Sequence, residues 1–310
     1  MGMLKKLSVL LYVVSACFLS AGCNDSNNES SEALPDAILQ VMQKPLYADA
    51  TWSLKVVDLE SGENIYDLNP DILAYTGSVR KTFSVGMALN ELGPDHRFRT
   101  PVYAQGDVDD EGVLSGNLIL VADGDLTMGG RNTPGGTVAF TSFDHTEANS
   151  LGSAILTEPD PLQGIDELAA EVAASGIKTV SGDVVVDDRL FDLFRVPNGN
   201  VLITPIIIND NLVDVTIIPT EPGQPAIVEW RPKSAALGVE ADVVTAAEGE
   251  DMTVSLTMEN PDCVGLPNCA GKVTGQIPVG YKPSLPGIPT LVQTFSIQDP
   301  ATYTRIVLIE

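Results

Sequence analysis

Tyr75-Thr76-Gly77-Ser78-Val79-Arg80-Lys81-Thr82-Phe83 sets a hydroxyl and an amine three residues apart at the start of a helical pattern. The pattern runs from Ser78 to Leu92, with apolar residues at Val79, Phe83, Met87, Ala88 and Leu92, and Gly93-Pro94 closes it. Residues three apart on a helix share a face, so Ser78 and Lys81 are within reach of each other. A serine hydroxyl needs a base to become a nucleophile, and a lysine serves when burial lowers its pKa toward neutrality. The helix N-terminus adds positive potential where an oxyanion would develop, and the Ser78 backbone N–H is one candidate donor to it. The spacing alone decides little, because about one Ser-x-x-Lys is expected by chance in a chain of this size. Ser175-Gly176-Ile177-Lys178 fits the same string. There Gly176 ends the helix, so the two side chains share no helical face and belong to a solvated turn. The bland alternative for Ser78 and Lys81 is a helix cap with a surface lysine.

Around this helix the chain reads as alternating helix and strand signals. Leu34 to Lys44 has helical spacing after Pro35-Asp36. Trp52 to Leu59 and Asn64 to Leu68, joined by Glu60-Ser61-Gly62-Glu63, predict a hairpin. After Thr100 the character changes. Val102 to Met128 predicts two strands, and Arg131 to Glu158, rich in Gly, Thr, Ser and Asp, reads as loop. Gly164 to Ala174 predicts a helix with Leu168, Ala169 and Val172 inward, and Val180 to Asp187 a strand. Val201 to Val279 is nearly all strand and turn signals. The last segment, Ser296 to Glu310, leads into a helix near Asp299-Pro300.

With 42 Asp+Glu against 17 Lys+Arg, the net charge of the 310-residue chain is −25. So acidic a surface gains nothing from counterion release and excludes nucleic acid as a natural partner. Lys5 and Lys6 precede the uncharged run Leu7 to Gly22, which is short for a membrane span and reads as a signal peptide. Its end, Leu19-Ser20-Ala21-Gly22-Cys23, resembles the bacterial lipobox, with Ser20 where Leu is commoner. That makes Cys23 a candidate lipidation site; the alternative is an ordinary cleaved signal. The polar stretch Asn24 to Glu32 suits a tether. Cys263 and Cys269, in a Pro/Gly-rich loop of an exported chain, predict a small disulfide. A metal there lacks partners, since the only histidines are His96 and His145, far away in sequence. No cofactor is implied.

Longer context around Ser78 resembles one family. Tyr75 to Phe83, followed by Leu89-Asn90-Glu91-Leu92-Gly93-Pro94-Asp95-His96-Arg97-Phe98-Arg99-Thr100, is similar to the nucleophile helix and following segment of class C penicillin-binding proteins of the D-alanyl-D-alanine carboxypeptidase/endopeptidase type. Gly116 to Thr127, Gly176-Ile177 through Gly182 to Asp188, Asn209 to Thr216, and Gly275 to Gly280 resemble further family segments in the same order. The resemblance covers roughly residues 40 to 310. It implies an α+β chain: an incomplete penicillin-recognising transpeptidase domain, serine β-lactamase-like, with large and mostly β accessory domains inserted after the nucleophile helix. The expected organisation is signal peptide 1–22, tether 23–35, first part of the transpeptidase domain 36–100, insertion 101–285, and return into the transpeptidase domain at 286–310.

The resemblance implies Ser78 as nucleophile and Lys81 as general base. Peptidoglycan stem peptides and β-lactams are the implied partners, with a lipid anchor on the periplasmic side of a bacterial membrane. The family also needs a Ser-x-Asn motif for proton transfer and a Lys-Thr-Gly strand that holds the substrate carboxylate. Asn209-Asp210-Asn211 imitates the first without its hydroxyl, and Lys272-Val273-Thr274-Gly275 is one residue too long for the second. Both match accessory segments. The expectation is therefore a chain that stops before both true motifs, leaving the nucleophile helix without its packing surface. A catalytically inactive exported lipoprotein or binding module of the same ancestry is the second reading. A serine β-lactamase or esterase is the third, and the large insertion disfavours it.

Overall fold

The computed structural model describes residues 33–196 and 201–310. The expected signal peptide, Cys23 and nearly all of the expected tether lie outside the described residues. The chain divides between Asp95 and His96 into two compact units.

In the first unit, helix α1 (Asp36–Met42) follows Pro35. Strands β1 (Leu54–Val57) and β2 (Asn64–Leu68) form the expected antiparallel hairpin, Leu54 opposite Leu68. Its turn is closed by Asp58, whose carboxylate accepts from the Ser61 and Glu60 N–H groups and the Ser61 hydroxyl. These bonds hold the Asp58 carboxyl below the usual range. A 3-10 turn, Gly77–Arg80, leads directly into α2 (Lys81–Leu92), which Gly93 terminates at φ 81°. The helical pattern is real, but its apolar residues meet no core: Phe83 is 77% and Met87 59% exposed. No described residue of this unit is buried.

The second unit begins with the hairpin β3 (Val102–Val108) and β4 (Val113–Val121). A long excursion follows, containing a 3-10 turn (His145–Glu147) and the short helix α3 (Ala148–Leu151). Helix α4 (Gln163–Ala174) then crosses over. Strands β5 (Thr179–Val180) and β6 (Val184–Asp187) run parallel to β4. One strand was expected over 180–187. The chain breaks it at Ser181-Gly182-Asp183, where Gly182 passes so near β4 that a Cβ would lie 2.5 Å from the Gly116 carbonyl oxygen.

Strands β7 (Phe194–Arg195) and β8 (Leu202–Ile203) form a small antiparallel pair. Beyond them, β9 (Leu212–Ile218), β10 (Ile227–Arg231), β11 (Gly238–Ala246), β12 (Ser255–Thr257), β13 (Ala270–Pro278) and β14 (Leu291–Ser296) build two three-stranded sheets. Their orders are β10-β9-β14, all antiparallel, and β11-β13-β12, with β11 parallel to β13. Helix α5 (Pro300–Ile309) closes the unit, Pro300 at its first position and the Asp299 carboxylate accepting from Thr302 N–H. The core gathers Leu120, Ile165, Val215, Ile217, Val273 and Tyr303 from both ends of this sequence. Central strand β9 is buried along Leu212 to Val215, with Asp214 completely enclosed. Cys263 and Cys269 are joined in a disulfide, S–S 2.03 Å.

Candidate functional site

Ser78 is the second residue of the 3-10 turn and Lys81 the first of α2, so one continuous helical path carries both. Gly77 enters that turn at φ 51°, a left-handed conformation that glycine adopts freely. Lys81 Nζ donates to Ser78 Oγ at 3.3 Å. The pair has the contact that a nucleophile and its base require. Both side chains are exposed. Water competes for every donor at such a surface, and a lysine becomes an effective base only when solvent is excluded.

The look-alike strings are structural. Ser175 Oγ donates to the Val172 carbonyl at the end of α4, so its hydroxyl is spent on the helix end. Lys272, on β13, donates to Glu259 at 2.8 Å. That bond raises the lysine pKa and lowers that of the glutamate in an exposed ion pair. Asn209, Asp210 and Asn211 take three successive left-handed conformations, φ 51°, 53° and 57°. Within that turn Asn211 is buried and acts as a brace. Its Nδ2 donates to the Leu202 carbonyl and Thr204 Oγ1, and its Oδ1 accepts from Ile208 N–H. A further Ser-x-Asn string, Ser115-Gly116-Asn117, escaped the sequence reading. It lies within β4, where Asn117 bridges Gln105 and the Asp183 N–H.

The excursion read as loop carries a charged cluster that no motif announced. His145, with its side chain 5% exposed, stands between Asp210 (Nε2–Oδ2 2.7 Å) and Asp214 (Nδ1–Oδ1 2.6 Å). Arg131 bonds Asp210 and also Asp144, at 2.9 Å. Asp214 Oδ2 accepts from Arg231 Nε and Asn209 Nδ2, each at 3.2 Å. Burial pushes His145 down, but the hydrogen bonds and charges of Asp210 and Asp214 outweigh it and lift the imidazole to about 9. Asp144, His145 and Asp210 are close enough to share a metal ion. Arg131 already bonds both carboxylates and its Nη2 lies 3.1 Å from His145 Nε2, so a guanidinium holds the ground a cation would take. Three carboxylates, two guanidiniums and one imidazolium make a neutral set. The one sequence signal was an aspartate inside the apolar run Leu212-Val213-Asp214-Val215.

Residues 34–309 match the model of the D-Ala-D-Ala carboxypeptidase 3 (S13) family. The chain belongs to that family. It is 26% identical over 275 residues to the D-alanyl-D-alanine carboxypeptidase of Actinomadura sp. (strain R39), covering 84% of this chain and 44% of that protein. Among solved structures, it resembles penicillin binding protein 4 of Haemophilus influenzae. The TM-score is 0.56 at 18% identity, over 83% of this chain and 49% of the other. The same protein complexed with a novel β-lactam gives a TM-score of 0.51 at 19% identity, over 82% and 47%. These likenesses show the α+β fold of a penicillin-binding protein. The chain spans about half the length of the relatives it matches.

The brace assignment separates fold from chemistry. Asn211→Ala would leave buried groups of Leu202 and Ile208 unpaired, so a loss of about 2–3 kcal/mol in urea-unfolding stability is expected. Reactivity at Ser78 should be unchanged. Unaltered stability together with lost Ser78 reactivity would make Asn211 a member of the active site.

Proposed function

We propose that this S13-family chain contributes the nucleophile of a serine D-Ala-D-Ala carboxypeptidase acting on peptidoglycan stem peptides. The observation that carries the proposal is the 3.3 Å contact between Lys81 Nζ and Ser78 Oγ at a helix start. Lys81 takes the Ser78 proton as Oγ attacks the carbonyl between two D-alanines. The tetrahedral oxyanion is stabilised by backbone N–H donors, one of them that of Ser78. The leaving D-alanine accepts a proton, and water then hydrolyses the acyl ester at Ser78. A β-lactam enters the same sequence, since its strained amide presents a carbonyl to Oγ and leaves a stable ester.

Exclusion of water from the pair and grip on the substrate carboxylate require groups besides these two. In this reading they are the Ser-x-Asn and Lys-Thr-Gly motifs, supplied by sequence corresponding to the remainder of the relatives' length. Removing one oxyanion donor alone costs about 10²–10³ in rate. Covalent labelling with a fluorescent penicillin is the test. A chain lengthened through both motifs should label at Ser78 and lose the label on Ser78→Ala, while the 310-residue chain should label at least about 10²-fold more slowly. An unlabelled lengthened chain would remove the peptidase proposal.

The leader and lipobox-like string support a second part of the reading. The chain is exported to the periplasmic side of a bacterial membrane and anchored by lipid on Cys23. Labelled palmitate should enter the protein in cells, and Cys23→Ala should abolish it. Label retained by that variant would refute the anchor.

A further inference from the structure

The excursion 131–160 does two things at once. At one point it docks on charge. His145 bonds Asp210 in the turn before β9 and Asp214 on β9, while Arg131 ties Asp144 to Asp210. Arg231, from β10, closes the far side of Asp214, and its Nη1 reaches the Pro159 carbonyl at 3.4 Å. At a second point the excursion covers an edge. Among the described residues, strand β14 pairs with β9 on one side only. The groups on its other side are met by two side chains of the excursion. Asn149 donates to the Thr294 carbonyl and accepts from Thr294 N–H, both at 2.9 Å. Ser153 Oγ donates to the Thr290 carbonyl at 2.6 Å and accepts from Val292 N–H at 2.9 Å. Four hydrogen bonds thus imitate a neighbouring strand along residues 290–294. An uncovered edge invites pairing with another chain, and covering it with a loop is a common protection.

We propose that residues 131–160 form a strap latched by the His145 imidazolium, and that release of this latch uncovers the free edge of β14. Both ring nitrogens face carboxylate oxygens, so the clamp is complete only when both carry protons. Deprotonation gives up one of the two bonds to carboxylate and unbalances a neutral cluster; a lone pair freed at Nε2 faces Arg131 Nη2 at 3.1 Å. The folded pKa lies above the ordinary value of 6.5, at about 9. The latch is therefore at full strength below about pH 6.5 and is lost as pH rises through 9. The charged groups facing the imidazole are Asp144, Asp210, Asp214 and Arg131, with Arg231 behind Asp214.

Amide hydrogen exchange of the 310-residue chain tests the device, with rates corrected for the intrinsic effect of pH. Val292 and Thr294 should lose at least tenfold protection between pH 7 and pH 10, while Val215 and Val273 keep theirs. Asp210→Asn removes one carboxylate from the imidazole and should bring the same loss closer to neutrality. The double variant Asn149→Ala/Ser153→Ala should be unprotected at residues 292 and 294 already at pH 7, with no further pH dependence. Protection at 292 and 294 that is constant from pH 7 to 10 in both the parent and Asp210→Asn would overturn the latch. So would loss at 292 and 294 only in step with residues 215 and 273, because the strap would then not move separately from the core.

Discussion

A fully buried carboxylate on a central strand organises the larger unit of this protein. Asp214 sits between Val213 and Val215 with no solvent contact. Left alone, such a charge would cost several kcal/mol of desolvation. Three segments converge to prevent that: His145 from the excursion, Asn209 from the turn before β9, and Arg231 from β10. Each then imposes an order of its own. His145 requires Asp210, Asp210 is bonded by Arg131, and Arg131 holds Asp144, which accepts from Thr146 N–H and caps the turn carrying His145. The chain closes on itself through polar groups that only the folded state can satisfy. Around that knot the apolar residues of β4, β9, β13 and α5 supply the bulk of the burial.

The smaller unit obeys a different constraint. Its helix α2 has the apolar residues of a core helix, yet Val79, Phe83, Met87 and Leu92 are each more than half exposed. A helix of 12 residues in water gains little from propensity alone, and tertiary packing supplies most helical stability. The same exposure governs the chemistry. Ser78 and Lys81 touch, but a proton moves usefully between them only where water is excluded. Packing of the helix and activation of its nucleophile are thus one requirement.

Some of this was legible in the sequence for local reasons. The hairpin of β1 and β2 followed from alternation on either side of a Ser-Gly turn, α4 from apolar spacing with a stop at Gly176, and α5 from the Asp299-Pro300 start. Ser78 and Lys81 stood out because helix geometry puts them within reach of each other and the sequence around them resembles a family's nucleophile helix. The rest depended on distance. Asn209-Asp210-Asn211 is set aside by its missing hydroxyl, but nothing local shows that Asn211 grips Leu202 and Ile208. Residues 131–158 read as loop because Gly, Thr, Ser and Asp carry no periodicity. Their order comes from partners more than 60 residues onward, such as Asp210 and Asp214 for His145. Asp214 itself was visible as an acid in an apolar strand, but its partners were not.

The central claim is a division of labour. Residues 96–310 carry a core of their own, and no described residue of the helix-bearing unit is buried. The most direct measurement is the amide NMR spectrum of residues 96–310 produced alone, set against that of the whole chain. The account predicts dispersed resonances for β9, β14 and α5 at unchanged positions in the shorter protein. A narrow, collapsed spectrum from residues 96–310 would contradict it, because the larger unit would then depend on the helix it was held not to need.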